Sequence, residues 1–311
     1  MKLLIYIFIF ISFNISYSQT NIISEEILLM NDSIKLPGTL SYNKDLKSQP
    51  LVIFIHGSGN VDRNGNQDGV NIKANYIKQL ADSLNIRGIA FYRYDKRSAS
   101  KENLKFMMDD LDFYCFVDDA NLAVANFKND NRFNSITLIG HSQGSLVAML
   151  ASQEDVDRYV SIAGVSDDMG NFIINSYKVY SEEMGNMAKE HITELKETGT
   201  IKTVNPALAH LFSKPNQPFF ITWMAYNPSV EIKKLEIPVL IINGTKDLQV
   251  KVEEAEKLHE EKPNSELVII ENMNHVLKTI EKDEDNIKSY YSPDFPLSEE
   301  LINSIDTFIN K

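Results

Sequence analysis

The sequence has one cysteine, Cys115, in 311 residues, so the chain cannot form an intrachain disulfide bond. Cys115 falls in a helical pattern, where we expect its side chain to fill buried space. Basic residues are also few, because the chain has 31 Lys and Arg residues and 43 Asp and Glu residues. The net charge of −12 repels nucleic acid and anionic membrane surfaces, so we expect neither as a partner. The sequence also lacks internal repeats and low-complexity segments.

The apolar run at residues 3–13 is too short to cross a bilayer comfortably, which argues against the alternative of a membrane anchor. Lys2 precedes this run, and the sequence SYS at residues 16–18 follows it as a small-x-small cleavage site. This pattern predicts an export signal over residues 1–18. The segment contains no cysteine, so we do not expect a lipid anchor attached through cysteine. We expect an exported bacterial protein that is periplasmic or secreted.

Segments with the pattern of strands alternate with helical patterns along most of the chain. Two strands come first, at 22–30 and 33–42, and they predict an antiparallel edge hairpin with a break or bulge at Pro37-Gly38. Further predicted strands span residues 51–55, 89–94, 136–139, 159–163, 238–242 and 266–270. Predicted helices span about residues 72–84, 112–127, 143–151, 252–259 and 298–309. This order predicts an α/β fold with a mainly parallel central sheet and helices on both faces.

Residues 166–230 interrupt this alternation. An apolar stripe at helical spacing runs from Ile173 to Leu195, and Gly199 follows as the expected helix stop. Two shorter helical patterns follow, at residues 206–212 and 218–226. We therefore expect a helical cap at about residues 166–230, inserted into a single domain that spans residues 19–311.

The sequence GHSQG at residues 140–144 lies between a predicted strand and a predicted helix. A G-x-S-x-G sequence in this setting is typical of a nucleophile elbow, a strained turn that exposes the serine hydroxyl. Glycine is required two residues before and after the serine because the tight turn leaves no room for bulky side chains. We therefore predict that Ser142 is a nucleophile.

A serine hydroxyl becomes a good nucleophile when a base removes its proton and a carboxylate orients that base. Asp247 follows the predicted strand at 238–242, and His275 follows the strand at 266–270. Both residues therefore lie past the C-terminal ends of strands, where open α/β sheets place their sites. The chain order Ser, Asp, His is also the order used in sheets of this type. We predict that His275 is the base and that Asp247 orients it.

Other interpretations of these polar residues remain open. Asp247 could instead cap the start of a helix. Glu271 is the rival acid, but it lies beside a strand end and close to His275 in sequence, which disfavours it. We expect His56 and His141 to be structural rather than catalytic.

The oxyanion formed during acyl transfer needs two N–H donors, each of which contributes roughly 10²–10³ in rate. Gln143, the residue after the predicted nucleophile, supplies one donor at the start of its helix. The sequence HGSG at residues 56–59 follows a buried strand, and it offers the backbone N–H of Ser58 as the second donor.

With these residues, the chain resembles the α/β-hydrolase superfamily, and within it the secreted bacterial esterases and serine aminopeptidase-like hydrolases. The resemblance rests on HGSG at residues 56–59, DRNG at 62–65 and YDKR at 94–97, and it covers nearly the whole mature chain. It implies the α/β-hydrolase fold, together with the following site residues: Ser142 as nucleophile, Asp247 as orienting acid, His275 as base, and the Ser58 and Gln143 amides as oxyanion donors.

Two loops depart from simple patterns. The YDKR segment continues as SAS at residues 98–100, where the family has G-x-G-x-S, so we expect this loop to differ in shape. We interpret Asp95 and Arg97, both in this segment, as a structural ion pair near the site. The sequence DRNGNQDG at residues 62–69 is similar to a calcium loop, but Gln67 and Lys73 occupy the positions that require glycine and a bidentate glutamate. We therefore expect no metal and no cofactor.

The leading hypothesis is a carboxylic-ester hydrolase that acts on a small-molecule ester through an acyl-enzyme. An apolar wall of the substrate pocket would come from cap residues that include Met187, Phe219 and Phe220. Four further cap residues are our candidates for binding substrate: Met169, Met184, Trp223 and Met224. One alternative is a serine peptidase of the aminopeptidase type, which needs carboxylates to hold a free amine, whereas the cap glutamates lie off the apolar stripe. The other alternative is a non-catalytic binding module on the same scaffold. The sequence does not indicate an oligomeric state.

Overall fold

The computed structural model describes residues 21–107, 111–152 and 154–311, and the expected export signal at residues 1–18 lies outside them. Within these ranges, eight strands form one sheet in the order β1-β2-β6-β3-β7-β8-β9-β10, and β4 pairs with β5 in a separate hairpin. β2 is antiparallel to both β1 and β6, whereas all the other neighbours in the large sheet are parallel. The strands are β1 (Ile22–Asn31), β2 (Ile34–Asn43), β3 (Gln49–Ile55), β4 (Asn66–Gln67), β5 (Ile72–Lys73), β6 (Ala90–Tyr94), β7 (Phe133–His141), β8 (Arg158–Ile162), β9 (Val239–Gly244) and β10 (Glu266–Ile270).

Helices cover both faces of the large sheet. The helices are α1 (Tyr76–Ile86), α2 (Leu104–Met107), α3 (Tyr114–Phe127), α4 (Gln143–Ala151), α5 (Met169–Tyr180), α6 (Glu182–Thr198), α7 (Ala209–Phe212), α8 (Gln217–Trp223), α9 (Pro228–Glu231), α10 (Val252–Glu261) and α11 (Glu299–Ile309). Leu80 of α1 and Ile305 of α11 belong to the core on one face, and Ala120 of α3, Leu146 of α4 and Leu258 of α10 belong to the core on the other. None of the helices in the described ranges is long and apolar enough to span a membrane.

The central strands are apolar throughout because both of their faces are covered. All residues of β6 and β9 are buried, and consecutive residues of β3 alternate between the two cores. Leu51 and Ile53 belong to the core that contains α3 and α4, whereas Val52 and Phe54 belong to the core that contains α1 and α11. This packing fixes the ends of the parallel strands, and the loops that carry the predicted site residues follow those ends.

The break or bulge predicted at Pro37-Gly38 is wrong. The pairing of β1 with β2 runs without interruption through Leu28 with Pro37 and Ile27 with Gly38. Proline is accommodated here because the β2–β6 pairing begins at Gly38, so the missing N–H of Pro37 removes no bond from that ladder. Gly38 is needed for packing instead, since a Cβ at this position would lie 2.4 Å from the hydroxyl oxygen of Tyr92.

Two predicted helices have different boundaries in the structure. The helix expected at 72–84 begins only at Tyr76, because Ile72–Lys73 pairs with Asn66–Gln67 in the β4–β5 hairpin. The apolar stripe from Ile173 to Leu195 is divided between α5 and α6, since Ser181 lies between them in an extended conformation. The Ser181 hydroxyl accepts a hydrogen bond from the N–H of Met184, which starts α6. We call residues 166–230, which contain α5–α8 and most of α9 between β8 and β9, the helical insertion.

Candidate active site

Ser142 lies in a tight turn between β7, which ends at His141, and α4, which begins at Gln143. Its backbone has φ 54° and ψ −123°, a conformation that costs a non-glycine residue about 1–3 kcal/mol. The Ser142 N–H donates to the carbonyl oxygen of Ile162 in β8 at 2.9 Å, which ties the turn to the neighbouring strand. Ser142 is half-buried and lines a cavity, so the strained turn presents its hydroxyl to an open space.

The glycines that flank Ser142 are required by close approach of the backbone. A Cβ at Gly140 would lie 2.3 Å from the carbonyl oxygen of Gly144. A Cβ at Gly144 would lie 2.3 Å from the carbonyl oxygen of Ile55, at the end of β3. Only glycine therefore allows α4 to start this close to β7 and β3.

Asp247 and His275 meet beyond the ends of β9 and β10. Nδ1 of His275 lies 2.7 Å from Oδ2 of Asp247, and both side chains are buried. Burial alone would raise the pKa of the Asp247 carboxyl, but His275 and two backbone N–H donors lower the pKa below its usual value. The pair is therefore a buried carboxylate that holds an imidazole ring in one orientation.

The second carboxylate oxygen of Asp247 shapes its own loop. Oδ1 accepts hydrogen bonds from the N–H groups of Gln249 at 2.7 Å and Val250 at 2.9 Å. The helix that follows, α10, begins only at Val252, so Asp247 holds a turn and does not cap that helix. The rival acid Glu271 is exposed.

His141 connects the turn of Ser142 to the loop of His275. Nε2 of His141 lies 2.8 Å from the backbone carbonyl oxygen of His275, and the two rings are 4.7 Å apart. The hydroxyl of Tyr76 lies 3.4 Å from Nδ1 of His141. Burial, together with the nearby His275, lowers the pKa of His141 to about 3, so its ring is neutral and can donate from Nε2. Among the described residues, the Ser142 hydroxyl makes no hydrogen bond to the His275 ring.

A cavity of about 780 Å³ opens beside Ser142, between the sheet edge and the helical insertion. Met169 and Trp223, two of the four predicted pocket residues, line it. The other two, Met184 and Met224, are not among its lining residues. Met224 is buried in the core, 7% exposed, and Met184 lies on α6, where it packs against that core. Helical spacing identified an apolar stripe but could not show which helix faces the cavity.

Aromatic side chains form much of the cavity wall. Phe116 of α3 and Phe219, Phe220 and Trp223 of α8 line the cavity. The ring of Trp223 stacks on the ring of Phe113, with centroids 5.6 Å apart and an angle of 6° between planes. The wall is therefore a packed aromatic surface shared by α3 and the helical insertion.

The two predicted oxyanion donors also lie at the cavity, because Ser58 and Gln143 both line it. Gln143 is the first residue of α4, so its N–H has no acceptor within the helix. Ser58 follows Gly57, where a Cβ would lie 3.1 Å from Cβ of Ser142. The loop after β3 therefore passes directly beside the turn of Ser142.

Lys96 is a residue of this site that the sequence did not identify. Its side chain is buried and lines the cavity, and Nζ donates to the carbonyl oxygen of Gly57 at 2.7 Å and to Oε1 of Gln143 at 2.6 Å. The ammonium also lies 4.4 Å from the centre of the Phe116 ring. Burial lowers the pKa of Lys96 to about 7. The available signal was a lysine inside the YDKR segment, next to residues already associated with the site.

The expected ion pair between Asp95 and Arg97 is wrong. Asp95 pairs with Arg63, with Nε to Oδ1 at 2.9 Å and Nη2 to Oδ2 at 3.0 Å. Arg97 pairs with Asp119 of α3, with Nη2 to Oδ1 at 2.6 Å and Nε to Oδ2 at 2.7 Å. Each group takes a bidentate partner from a distant part of the chain, which is stronger than one contact between near neighbours. The two pairs hold the segment that carries Lys96 from both sides.

In the loop at residues 62–69, the carboxylate of Asp62 stabilises a turn of the loop itself. Oδ1 of Asp62 accepts hydrogen bonds from the N–H groups of Asn64 and Asn66, both at 2.8 Å. In the part of the chain that the structure describes, no group of three or more His, Cys, Asp or Glu side chains is placed to hold a metal ion.

Comparison with protein families finds a match between residues 40–261 and the model of the BD-FAE family. Among curated proteins, the chain is similar to the esterase EstD of Thermotoga maritima, with 25% identity over 249 residues. This match covers 78% of the chain but 58% of EstD, so the chain spans less than two thirds of the length of that relative.

Solved structures with the same fold include Est1E and the esterase Pf2001. Est1E from Butyrivibrio proteoclasticus has a TM-score of 0.57 and 18% identity, and the match covers 92% of this chain and 99% of Est1E. A structure of Est1E with bound ferulic acid has a TM-score of 0.59. The Pyrococcus furiosus esterase Pf2001 has a TM-score of 0.57 and 18% identity, with 92% of this chain and 90% of that chain covered. The central sheet and its helices thus form the α/β-hydrolase fold.

Proposed function

This chain belongs to the BD-FAE family of α/β-hydrolases, and on that basis we propose that it is an esterase that hydrolyses small-molecule carboxylic esters. In the proposed reaction, Oγ of Ser142 attacks the ester carbonyl carbon while His275 takes the hydroxyl proton. His275 then gives this proton to the leaving alcohol, and an acyl group remains on Ser142. Water, deprotonated by His275, attacks the acyl group and releases the acid.

The observation that carries the proposal is the buried Asp247–His275 pair, at the same sheet edge as the strained turn of Ser142. Because Oδ2 of Asp247 accepts from Nδ1 of His275 at 2.7 Å, Nε2 is left as the proton acceptor. Catalytic hydrogen bonds often tighten only when substrate binds, so the missing Ser142–His275 bond does not weaken the proposal. In this proposal, the N–H groups of Ser58 and Gln143 stabilise the oxyanion.

The composition of the cavity wall favours an ester over a substrate with a free amine. Among the described residues that line the cavity, none is Asp or Glu, and Lys96 is the one Lys or Arg. A free ammonium group would find no carboxylate there and would meet a positive charge. EstD and Pf2001, to which the chain is similar, are also named as esterases. We therefore propose uncharged acyl esters of moderate size as the substrates.

The proposal is tested with p-nitrophenyl acetate and butyrate, compared with aminoacyl anilides. We expect turnover of the esters, complete loss of turnover in Ser142→Ala, and covalent labelling of Ser142 by a fluorophosphonate. Ser304→Ala, on α11, is the matched control and should keep full activity and labelling. Turnover of the anilides alone would support the aminopeptidase alternative, and folded protein without labelling would support a binding module.

The acyl preference is tested with esters of graded length, extended by an aromatic ester such as methyl ferulate. Aromatic rings of Phe116, Phe219 and Trp223 line the cavity, so they offer a surface on which an aromatic acyl group could stack. A preference for short linear esters over all larger ones would contradict the use of this wall.

We also propose that the chain is exported and that residues 166–230 act as a cap on one domain, residues 19–311. Lys2, the apolar run at 3–13 and the small residues at 16–18 support the export signal. N-terminal sequencing of protein recovered from outside the cytoplasm should begin at Gln19. An intact Met1 in that protein would contradict the proposal.

A further inference from the structure

Lys96 is an ammonium group buried without a carboxylate partner among the described residues. The carboxylate that raises its pKa, Asp119, already accepts two hydrogen bonds from the guanidinium of Arg97. Burying a charge without an ion pair is costly unless other groups replace the lost water. Here those groups are two oxygens, from Gly57 and Gln143, and the face of the Phe116 ring. The positions of these two oxygens indicate the role of the buried ammonium.

The first oxygen belongs to the peptide group that contains a proposed oxyanion donor. The carbonyl of Gly57 and the N–H of Ser58 form one peptide unit, and the described residues contain no cis peptide bond. In a trans peptide the C=O and N–H point in opposite directions. A hydrogen bond from Lys96 to the carbonyl at 2.7 Å therefore fixes the direction of the Ser58 N–H, which points away from the ammonium. A charged donor on the carbonyl also polarises the amide, which makes its N–H a stronger donor.

The second oxygen belongs to the residue that supplies the other donor. Oε1 of Gln143 lies 2.6 Å from Nζ of Lys96, and the N–H of Gln143 is the other proposed oxyanion donor. The Lys96 ammonium thus contacts Gly57, which follows β3, and Gln143, which follows β7. The Phe116 ring at 4.4 Å covers the ammonium on a further side.

We propose that Lys96 is the positioning residue of the oxyanion hole, since its ammonium fixes the relative placement of the Ser58 and Gln143 amides and strengthens the Ser58 donor. The inference rests on the proposed function, in which these two amides bind the oxyanion. Lys96 acts through Gly57 and Gln143 and does not itself react. Its removal should therefore weaken binding of the transition state more than binding of the substrate.

The test compares Lys96→Met, which has similar length but no charge or donor, with Lys96→Arg and with the exposed control Lys101→Met. For p-nitrophenyl butyrate, we expect Lys96→Met to lower kcat by about 100-fold, the size of effect seen when one oxyanion donor is lost. KM should change by less than about threefold, because the substrate carbonyl is not yet an oxyanion. Lys96→Arg should keep more activity than Lys96→Met, and Lys101→Met should match the wild type.

A trifluoromethyl ketone gives the decisive measurement, because it forms an oxyanion when Ser142 adds to its carbonyl. Its Ki should rise in Lys96→Met by the same factor as kcat falls. A merely structural role would lower the fraction of active protein, as titrated with a fluorophosphonate, and would leave Ki of the folded fraction unchanged. An unchanged Ki in Lys96→Met overturns the inference.

If Lys96→Met does not fold, Gln143→Leu provides the second variant, since it removes one oxygen that holds Lys96 and keeps the backbone N–H. We expect kcat to fall and Ki to rise together by about tenfold, which is the loss of one charge-assisted hydrogen bond. A fall in kcat without a matching rise in Ki would contradict the inference.

The wild-type enzyme distinguishes this inference from the proposed function. If the wild type does not hydrolyse the esters and Ser142 is not labelled, the proposed function fails and the inference fails with it. If the wild type is active and labelled but Lys96→Met keeps wild-type kcat and Ki, the inference alone fails.

Discussion

The edge of the sheet that holds Ser142, Asp247 and His275 is built differently from the helical insertion beside it. At the sheet edge, polar side chains are buried and hydrogen-bonded, and the backbone approaches so closely that Gly144 admits no Cβ. In the helical insertion, apolar and aromatic contacts dominate, and the junction of α5 and α6 leaves Tyr180 85% exposed. Directional bonds allow little displacement, whereas apolar contacts tolerate changes of similar volume. The proposed chemistry therefore depends on the first region and the choice of substrate on the second.

The largest expected effect comes from Asp247→Asn, which changes the chemistry of the sheet edge and keeps the fold. Asp247→Asn can still accept hydrogen bonds from Gln249 and Val250, but its amide would favour the wrong tautomer of the His275 ring. We expect kcat to fall by about 10⁴ with little change in thermal stability. Glu271→Gln, at the exposed rival acid, should change kcat by less than about twofold. Comparable losses in both variants would show that Asp247 has no special role.

The next largest effect comes from a steric clash introduced at the sheet edge. In Gly144→Ala the new Cβ would lie 2.3 Å from the carbonyl oxygen of Ile55 and 2.4 Å from that of His56, so the backbone must move. We expect the free energy of unfolding in urea to fall by about 1–3 kcal/mol, with loss of activity. Gly69→Ala is the control, because a Cβ there would meet nothing within 4 Å. Equal stability of the two variants would disprove the close approach.

A third effect uses pH to change the sheet edge without mutation. Burial lowers the pKa of Lys96 to about 7, while Asp119, which Arg97 holds, acts in the opposite direction. Burial also lowers the pKa of the neighbouring His56 to about 4, so His56 is already neutral near pH 7. As the pH rises through 7, Lys96 loses its proton and becomes a weaker donor to Gly57.

We expect kcat of the wild type to fall by about tenfold between pH 7 and 9, as a charge-assisted hydrogen bond becomes a neutral one. Lys96→Met should be less active but show no such fall, because it lacks the titrating group. The measurement is kcat across this range for both proteins, after a check that they remain folded. Parallel pH profiles would assign the titration to another group.

The smallest effect concerns the helical insertion and sharpens the comparison. Met169 lines the cavity and Met184 does not, although both are methionines of adjacent helices. We expect Met169→Ala to raise KM for long acyl esters by a few-fold, since it removes apolar contact area, with kcat for p-nitrophenyl acetate unchanged. Met184→Ala should leave KM unchanged for every ester. Equal changes in KM would mean that the cavity wall extends to α6.

The fold and the turn of Ser142 could be predicted because they depend on local pattern. Apolar runs of strand length alternate with helices, and glycines at 140 and 144 permit one particular turn. The boundary between α5 and α6 had a local signal that was missed, since Ser181 followed by two glutamates is typical of a helix start. These features depend on residues that are close together in the sequence, so they can be predicted from a single sequence.

Other features could not be predicted because they depend on partners that are distant in sequence. Asp95 and Arg97 are two residues apart, yet they bond to Arg63 and Asp119 rather than to each other. Lys96 shows no unusual local pattern, and only the folded chain shows that its ammonium contacts two oxygens and no carboxylate among the described residues. The tertiary structure decides which charged side chains pair, so these ion pairs cannot be predicted from a single sequence.

The hydrogen bond from His141 to the carbonyl oxygen of His275 has a consequence for engineering. It joins the strand that precedes Ser142 to the loop that carries His275, and it does so without any atom of the helical insertion. Replacing residues 166–230 with a shorter or longer segment should therefore leave the spacing of these two side chains intact. If so, new specificity segments could be transplanted onto this scaffold while the proposed reactive groups keep their alignment, provided that each graft covers the core residues that the helical insertion now covers.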